Sequence, residues 1–210
     1  MSQHDSIIVS LAQRDWNRIV IFRSKALPEI SQKSLAEIAR LWNCDVFDAV
    51  HDILLAEVDD LHATMVICLV YEEADLHLPV SVPYCMPGSD AIALAPDGPL
   101  RDETFHGAYI WAGYYYRTFV RDRGLLSSEE AIRRMTSLPA QRMGLKDRGV
   151  IRKGNWADLA IFDPVTFTDR GTTFEPNQVC DGMVHVLVNG TLALESGKLT
   201  GSWTGRVLRR

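Results

Sequence analysis

Asp90, at the end of Gly88-Ser-Asp90, and His106, in Phe105-His-Gly-Ala-Tyr109, are the residues best suited by type and setting to do chemistry. A carboxylate of this kind can take a proton from an attacking water and pass it to a leaving group. Asp90 follows an apolar stretch and has the right group for that task. An aspartate that caps the next turn would have the same tripeptide. His106 suits hydrogen bonding to a substrate carboxylate or polarisation of an amide. A histidine capping a helix from Gly107, or packing on Trp111, explains it equally well.

Potential metal ligands are sparse. No His-x-His occurs, and His4, His51, His62, His77 and His185 are isolated. A catalytic zinc needs three protein ligands and an open position, so Asp90 is the one candidate ligand. His51 falls in a helical pattern and His185 in a strand pattern, as structural histidines do. His77 lies near an expected helix end, where a dipole contact suffices. The cluster Tyr109, Trp111, Tyr114, Tyr115 and Tyr116 has helical spacing and reads as packing before it reads as a stacking wall. Asp158, in Ala157-Asp-Leu159, reads as turn chemistry.

The elements that must hold these residues are legible in part. Arg18–Phe22 is β-branched and reads as a strand. Leu35, Ile38, Ala39 and Trp42 mark one face of a helix ending at Asn43, and a second helix runs from Val46 to about Ala56 with Asp45 as N-cap. Met65–Val70, apolar on both faces, and Tyr84–Met86 read as strands, neighbours in a parallel arrangement. The run Ile92–Glu103 is a loop, and a helix starts at Ala108. Ser127-Ser-Glu-Glu130 has the form of a capping box, and Thr136 or Ser137 caps a short helix that tolerates Pro139 in its first turn. Beyond Lys146 come glycine-punctuated strands, at Val150-Ile151, Leu159–Phe162, Met183–Val188 and Thr191–Glu195, with Asn189-Gly190 as a hairpin turn.

Composition bounds the function. The chain has 210 residues, 47% of them hydrophobic, and a net charge of −5, which excludes the basic footprint of a nucleic-acid binder. Arg206, Arg209 and Arg210 make a small basic tail that reads as solvated charge. Cys44, Cys68, Cys85 and Cys180 form no C-x-x-C pair, so neither a disulfide framework nor a structural zinc site is expected. No apolar run reaches about 18 residues, and the opening Met-Ser-Gln-His-Asp lacks signal-peptide regions. A cytoplasmic protein without membrane partners is expected.

Thr136–Leu145, Asp147–Gly154, Ala157–Pro164, Val184–Gly190 and the tail Leu199–Arg210 together resemble the C-terminal part of the N-acyl-D-amino-acid deacylase (D-aminoacylase) family, within the metal-dependent amidohydrolases. The resemblance runs from about Arg18 to Arg210. It implies an α/β fold, the C-terminal portion of a TIM-like (β/α)8 barrel over residues 1–146, with an inserted helical segment at 1–60. A β-sandwich contribution over 147–210 follows. It implies zinc-dependent hydrolysis of N-acyl-D-amino acids, with Asp90 as general base and acid and with Ser89 and His106 at the substrate. The family often has His-Pro-Arg where this chain has His-Gly-Ala, so no carboxylate-binding arginine carries over. Zinc would be held by residues outside this sequence, and a partner polypeptide or self-association would complete the barrel. A non-catalytic remnant and a cyclic-amide hydrolase of the hydantoinase or dihydroorotase kind are the competing readings.

Overall fold

The computed structural model describes residues 9–10, 12–95 and 97–208; the expectations for His4, Arg209 and Arg210 fall outside them. The chain is a mixed α/β protein that divides into two compact units, residues 1–76 and 77–210.

In the first unit, strand β1 (Ile19–Arg23) pairs antiparallel with β2 (Met65–Cys68), Ile19 opposite Cys68 and Ile21 opposite Val66. Helix α1 (Leu35–Trp42) opens on a full capping box, Ser34 with Glu37, and stops at Asn43, which takes the left-handed conformation at φ 52°. Helix α2 (Val46–Ala56) is capped by Asp45, whose carboxylate accepts from Phe47 N–H at 2.8 Å. Ile19, Ile21, Ile30, Leu35, Ile38 and Ile53 interlock as its core. The buried Glu57 closes the far end. Its Oε1 accepts from Ser24 Oγ–H at 2.5 Å and from the Lys25 and Ala26 N–H groups at 2.9 and 3.0 Å. Led by the Ser24 bond, these donors hold the carboxyl below the usual carboxylate range.

The expected parallel pairing of Met65–Val70 with Tyr84–Met86 is not formed. One crossover helix returns a strand parallel, but two packed helices return the chain to the opposite end, so β2 runs antiparallel to β1. Tyr84–Met86 lies between Pro83 and Pro87, and Cys85 N–H turns back to Val82 O at 3.1 Å, which leaves a turn in place of a strand.

The second unit begins with the short helix α3 (His77–Ser81). Helix α4 (Trp111–Tyr116), starting three residues later than expected, runs directly into a π-helical turn at Arg117–Asp122. Helices α5 (Ser128–Met135) and α6 (Ser137–Arg142) follow. Ser127 caps α5 as expected, accepting from Glu130 N–H at 3.2 Å. The Glu130 carboxylate is bound instead by Arg133 and Arg134, whose Nε groups lie 2.6 and 2.7 Å away. Buried Arg134 also donates to Val80 O at 2.8 Å and so ties α5 to α3.

Four strands form an antiparallel meander in chain order: β3 (Leu159–Phe162), β4 (Met183–Val188), β5 (Thr191–Glu195) and β6 (Lys198–Leu199). Asn189 and Gly190 make the β4–β5 turn with φ 51° and 84°, and Ser196-Gly197 repeats the device between β5 and β6. Asp158 does turn chemistry, accepting from Asn189 N–H at 2.7 Å and pairing with Arg148. Arg206 is exposed and its guanidinium also stacks on Trp156, 3.9 Å from the ring centre. Val150-Ile151 is not a strand. The segment closes on itself through Trp156 N–H to Asp147 O at 3.0 Å, which denies it a strand partner.

The tyrosine-rich helix packs on this sheet. Tyr116 stands edge-on to Phe162, with ring centres 5.2 Å apart, and Phe162 meets the buried Phe167 at 4.8 Å. Tyr115 and Tyr116 are buried, as core residues should be.

Candidate functional site

Between β3 and β4 the chain makes an excursion, residues 163–182, that grips the segment running from 103 through the π-helical turn. Arg117 Nε donates to Asp169 Oδ1 at 2.7 Å, and Arg121 Nη1 donates to the Val165 and Phe167 carbonyls at 2.8 and 3.0 Å. The paired Asp169 and Asp122 carboxylates push the Arg117 pKa upward, so this cation is permanent. Gly113 is one point where the two segments meet closely. A Cβ there would lie 2.6 Å from Cys180 Sγ and 2.7 Å from the Asp169 nitrogen. Farther along, Cys180 Sγ donates to Tyr109 O at 3.2 Å, and Asn177 Nδ2 donates to Glu103 O at 2.6 Å.

His106 belongs to this seam. Its Nε2 lies 2.5 Å from the Thr173 carbonyl, so Nε2 carries the proton and donates. The imidazole therefore pins the loop at 103–110 to the excursion and does not cap a helix at Gly107. Gly107 has φ +87°, and a Cβ on it would fall 2.9 Å from the Ser89 carbonyl oxygen. That contact sets Gly88-Ser-Asp90 directly against His106-Gly107. Proline, with φ fixed near −65°, cannot adopt this conformation, which gives the His-Gly sequence a local physical reason.

Asp90 itself takes the left-handed region, with φ 46°, and is exposed, while Ser89 is half-buried. The two sequence-predicted residues thus sit on touching segments, one carboxylate open to solvent and one imidazole held by a backbone carbonyl. A hollow of about 310 Å³ lined by Thr104 and by Phe174 to Gln178 lies along the seam, and neither Asp90 nor His106 lines it. Nothing in the sequence pattern pointed to Thr173, because its contribution is a backbone carbonyl. A larger cavity of about 580 Å³ lies elsewhere, between α5 and β3, lined by Ile132, Ile151, Trp156 and Leu159 among others.

His77 and His185 are held by neighbouring groups. His77 opens α3, and its Nε2 accepts from Arg123 at 2.5 Å, so it meets a cation instead of a helix C-terminus. His185 Nδ1 accepts from Ser196 N–H at 3.2 Å. Among the described residues no group of three or more His, Cys, Asp or Glu side chains could hold a metal ion. The donor set around Asp90 does not make a zinc site by itself. No helix among the described residues is long and apolar enough to cross a membrane.

Comparison with known proteins gives a consistent result. A profile of the amidohydrolase family matches residues 93–193. The N-acyl-D-glutamate deacylase of Alcaligenes xylosoxydans xylosoxydans is 33% identical over 87% of this chain and 34% of its own length. A solved D-aminoacylase structure, from work on its binuclear metal centre, superposes with a TM-score of 0.76 at 29% identity. It covers 99% of this chain and 40% of its own. The N-acyl-D-glutamate deacylase of Bordetella bronchiseptica, solved with zinc and a phosphonate mimic of the tetrahedral intermediate, gives 0.68 at 30% identity, covering 89% of this chain and 37% of its own. The chain spans about a third of the length of the curated relatives it matches.

Proposed function

This chain belongs to the amidohydrolase family, in its N-acyl-D-amino-acid deacylase branch, and from that premise we propose that it supplies the proton-transfer residue of an N-acyl-D-amino-acid deacylase. The reaction is hydrolysis of the N-acyl amide to a carboxylate and a free D-amino acid. Asp90 accepts a proton from the attacking water and returns it to the leaving amine. Ser89 and His106 flank the substrate. Residues 1–146 correspond to the C-terminal part of a TIM-like barrel and 147–210 to the sandwich contribution, completed by further polypeptide.

Zinc is the cofactor of the zinc-bound relative. Since the described residues do not form its site by themselves, Asp90 is the one candidate ligand, and the other ligands would come from outside this sequence. The observation that carries the reading is the close approach of Gly107 to the Ser89 carbonyl. It supports the reading because the segment with the exposed Asp90 touches the segment with His106. His106 keeps its ring oriented through Thr173 O, which supports its place at the substrate in this reading.

The test is Asp90→Asn in the chain co-expressed with the polypeptide that completes the barrel. The substitution keeps the shape and removes the proton-accepting charge, so turnover should fall by about 10²–10⁴-fold with unchanged folding. His106→Ala should raise KM more than it lowers kcat. Near-normal turnover by Asp90→Asn would move the proton transfer to another residue.

A further inference from the structure

The end of α6 and the loop at 147–156 enclose a hollow of about 550 Å³ within the second unit. Backbone bonds fix its walls. Trp156 N–H donates to Asp147 O and Asn155 N–H to Arg152 O, both at 3.0 Å, so the loop closes on itself. Gly149, at φ +78°, backs onto the helix, where a Cβ would lie 2.6 Å from the Ala140 Cβ. On the helix side, the N–H groups of Met143, Gly144 and Leu145 donate to the carbonyls of Pro139, Gln141 and Ala140 at 2.9, 3.1 and 2.8 Å. Those carbonyls, the part of a helix C-terminus that repels an anion, are already engaged.

The polar side chains that line the hollow are cationic or neutral. Lys146, Arg148 and Arg152 share it with Ser137, Gln141 and Asn155, and no carboxylate lines it. In a chain of net charge −5 this is a local reversal of sign. Arg148 is a fixed member. It pairs with Asp158, its Nη2 donates to Asn189 Oδ1 at 2.6 Å, and its guanidinium lies 5.2 Å from the centre of the Trp156 ring. Its charge is thereby partly answered. Those of Lys146 and Arg152 are not: both are exposed, and among the described residues neither enters an ion pair. The Ser137 hydroxyl and the Gln141 amide add neutral donors.

We propose that this hollow binds a diphosphate group, with Lys146 and Arg152 as the binding cations and Ser137 and Gln141 as neutral donors. Two unanswered cations in one hollow call for a ligand with at least two negative charges. The planar fork of an arginine and the point charge of a lysine both suit phosphoryl oxygens, through charge-assisted hydrogen bonds. The fixed Arg148 adds positive potential without having to leave Asp158. Free pyrophosphate and the diphosphate of a nucleotide share this chemistry. None of these residues has a part in the hydrolysis proposed above.

Isothermal titration of the purified chain with inorganic pyrophosphate tests this. One site per chain is expected, and its affinity should fall on going from about 50 mM to about 500 mM salt. Lys146→Gln with Arg152→Gln should weaken binding about tenfold or more, and each single change should give an intermediate loss. The single variants keep the test open if the double one misfolds. Lys25→Gln with Lys198→Gln removes the same charge from exposed positions elsewhere, and should leave binding within about twofold. ADP separates the two sources: equal binding assigns the site to a diphosphate in either form, and rejection assigns it to the free anion. The proposal is overturned if pyrophosphate does not bind, if the Lys146 and Arg152 variants keep its affinity, or if the control pair loses as much as they do.

Discussion

The helical first unit and the β meander of the second treat burial in opposite ways. In residues 12–57, Ile19, Ile21, Ile30, Leu35, Ile38 and Ile53 close around one another, and Ile30 and Ile38 are almost wholly enclosed. Between residues 147 and 208 only Phe167 and Pro176 are buried, and Ile161 and Val184 on the strands remain open. The difference separates two sources of order. The first unit is held by apolar volume. The meander is held by register, two positive-φ turns and a set of hydrogen bonds to one tyrosine-rich helix.

That contrast can be tested by mutation. Ile38→Ala should cost about 2–5 kcal/mol in denaturant unfolding, because the site is fully enclosed and cannot collapse. Ile161→Ala, half exposed on β3, should stay within about 0.5 kcal/mol. Equal losses at the two sites would mean that the sheet has a covered core after all. Gly113→Ala probes the seam on which the meander depends. With a sulfur and two backbone groups in the way, it should cost about 1–3 kcal/mol, and urea midpoints on the same scale will show it.

Acid gives the smallest and most selective effect. Glu130 is lowered from the ordinary 4.5 to about 2, first by the Arg133 bond and then by Arg134. A carboxyl with a depressed folded pKa stabilises above its unfolded value and loses that contribution as pH falls toward the folded one. Urea midpoints of the chain should therefore drop between about pH 4.5 and pH 2, and Glu130→Gln should flatten part of that fall. An unchanged acid limb in Glu130→Gln would place the dependence on the other lowered carboxyls, such as Glu57 and Asp158.

Local chemistry made many elements legible from sequence. Ser34, Asn43, Asp45 and Asn189-Gly190 each act through their own backbone, so a short window of sequence contains the whole cause. Pairing was less accessible. Met65–Cys68 was recognisable as a strand, but its partner lies across a two-helix connection, and apolar content does not encode direction. Tyr84–Met86 and Val150-Ile151 have strand-forming residues and no backbone to pair with. In the site, Asp90 and His106 stood out by type. Thr173 acts through its carbonyl, which every residue possesses, and Gly107 acts through an absent side chain.

The π-helical turn has a consequence for how this chain tolerates changes in length. Arg123 N–H reaches back five residues to Thr118 O at 3.1 Å, so one residue more is wound into this turn than an α-helix would hold. Arg117 and Arg121, four positions apart in this turn, both grip the excursion. Removing any one position from 117–122 would tighten the winding and swing the following residues by about 100°, and Arg121 would lose the carbonyls of Val165 and Phe167. The described residues 92–95 and 97–104 have no such phase to keep. Insertions and deletions among homologues should therefore collect in that run and leave the six residues of the π turn untouched.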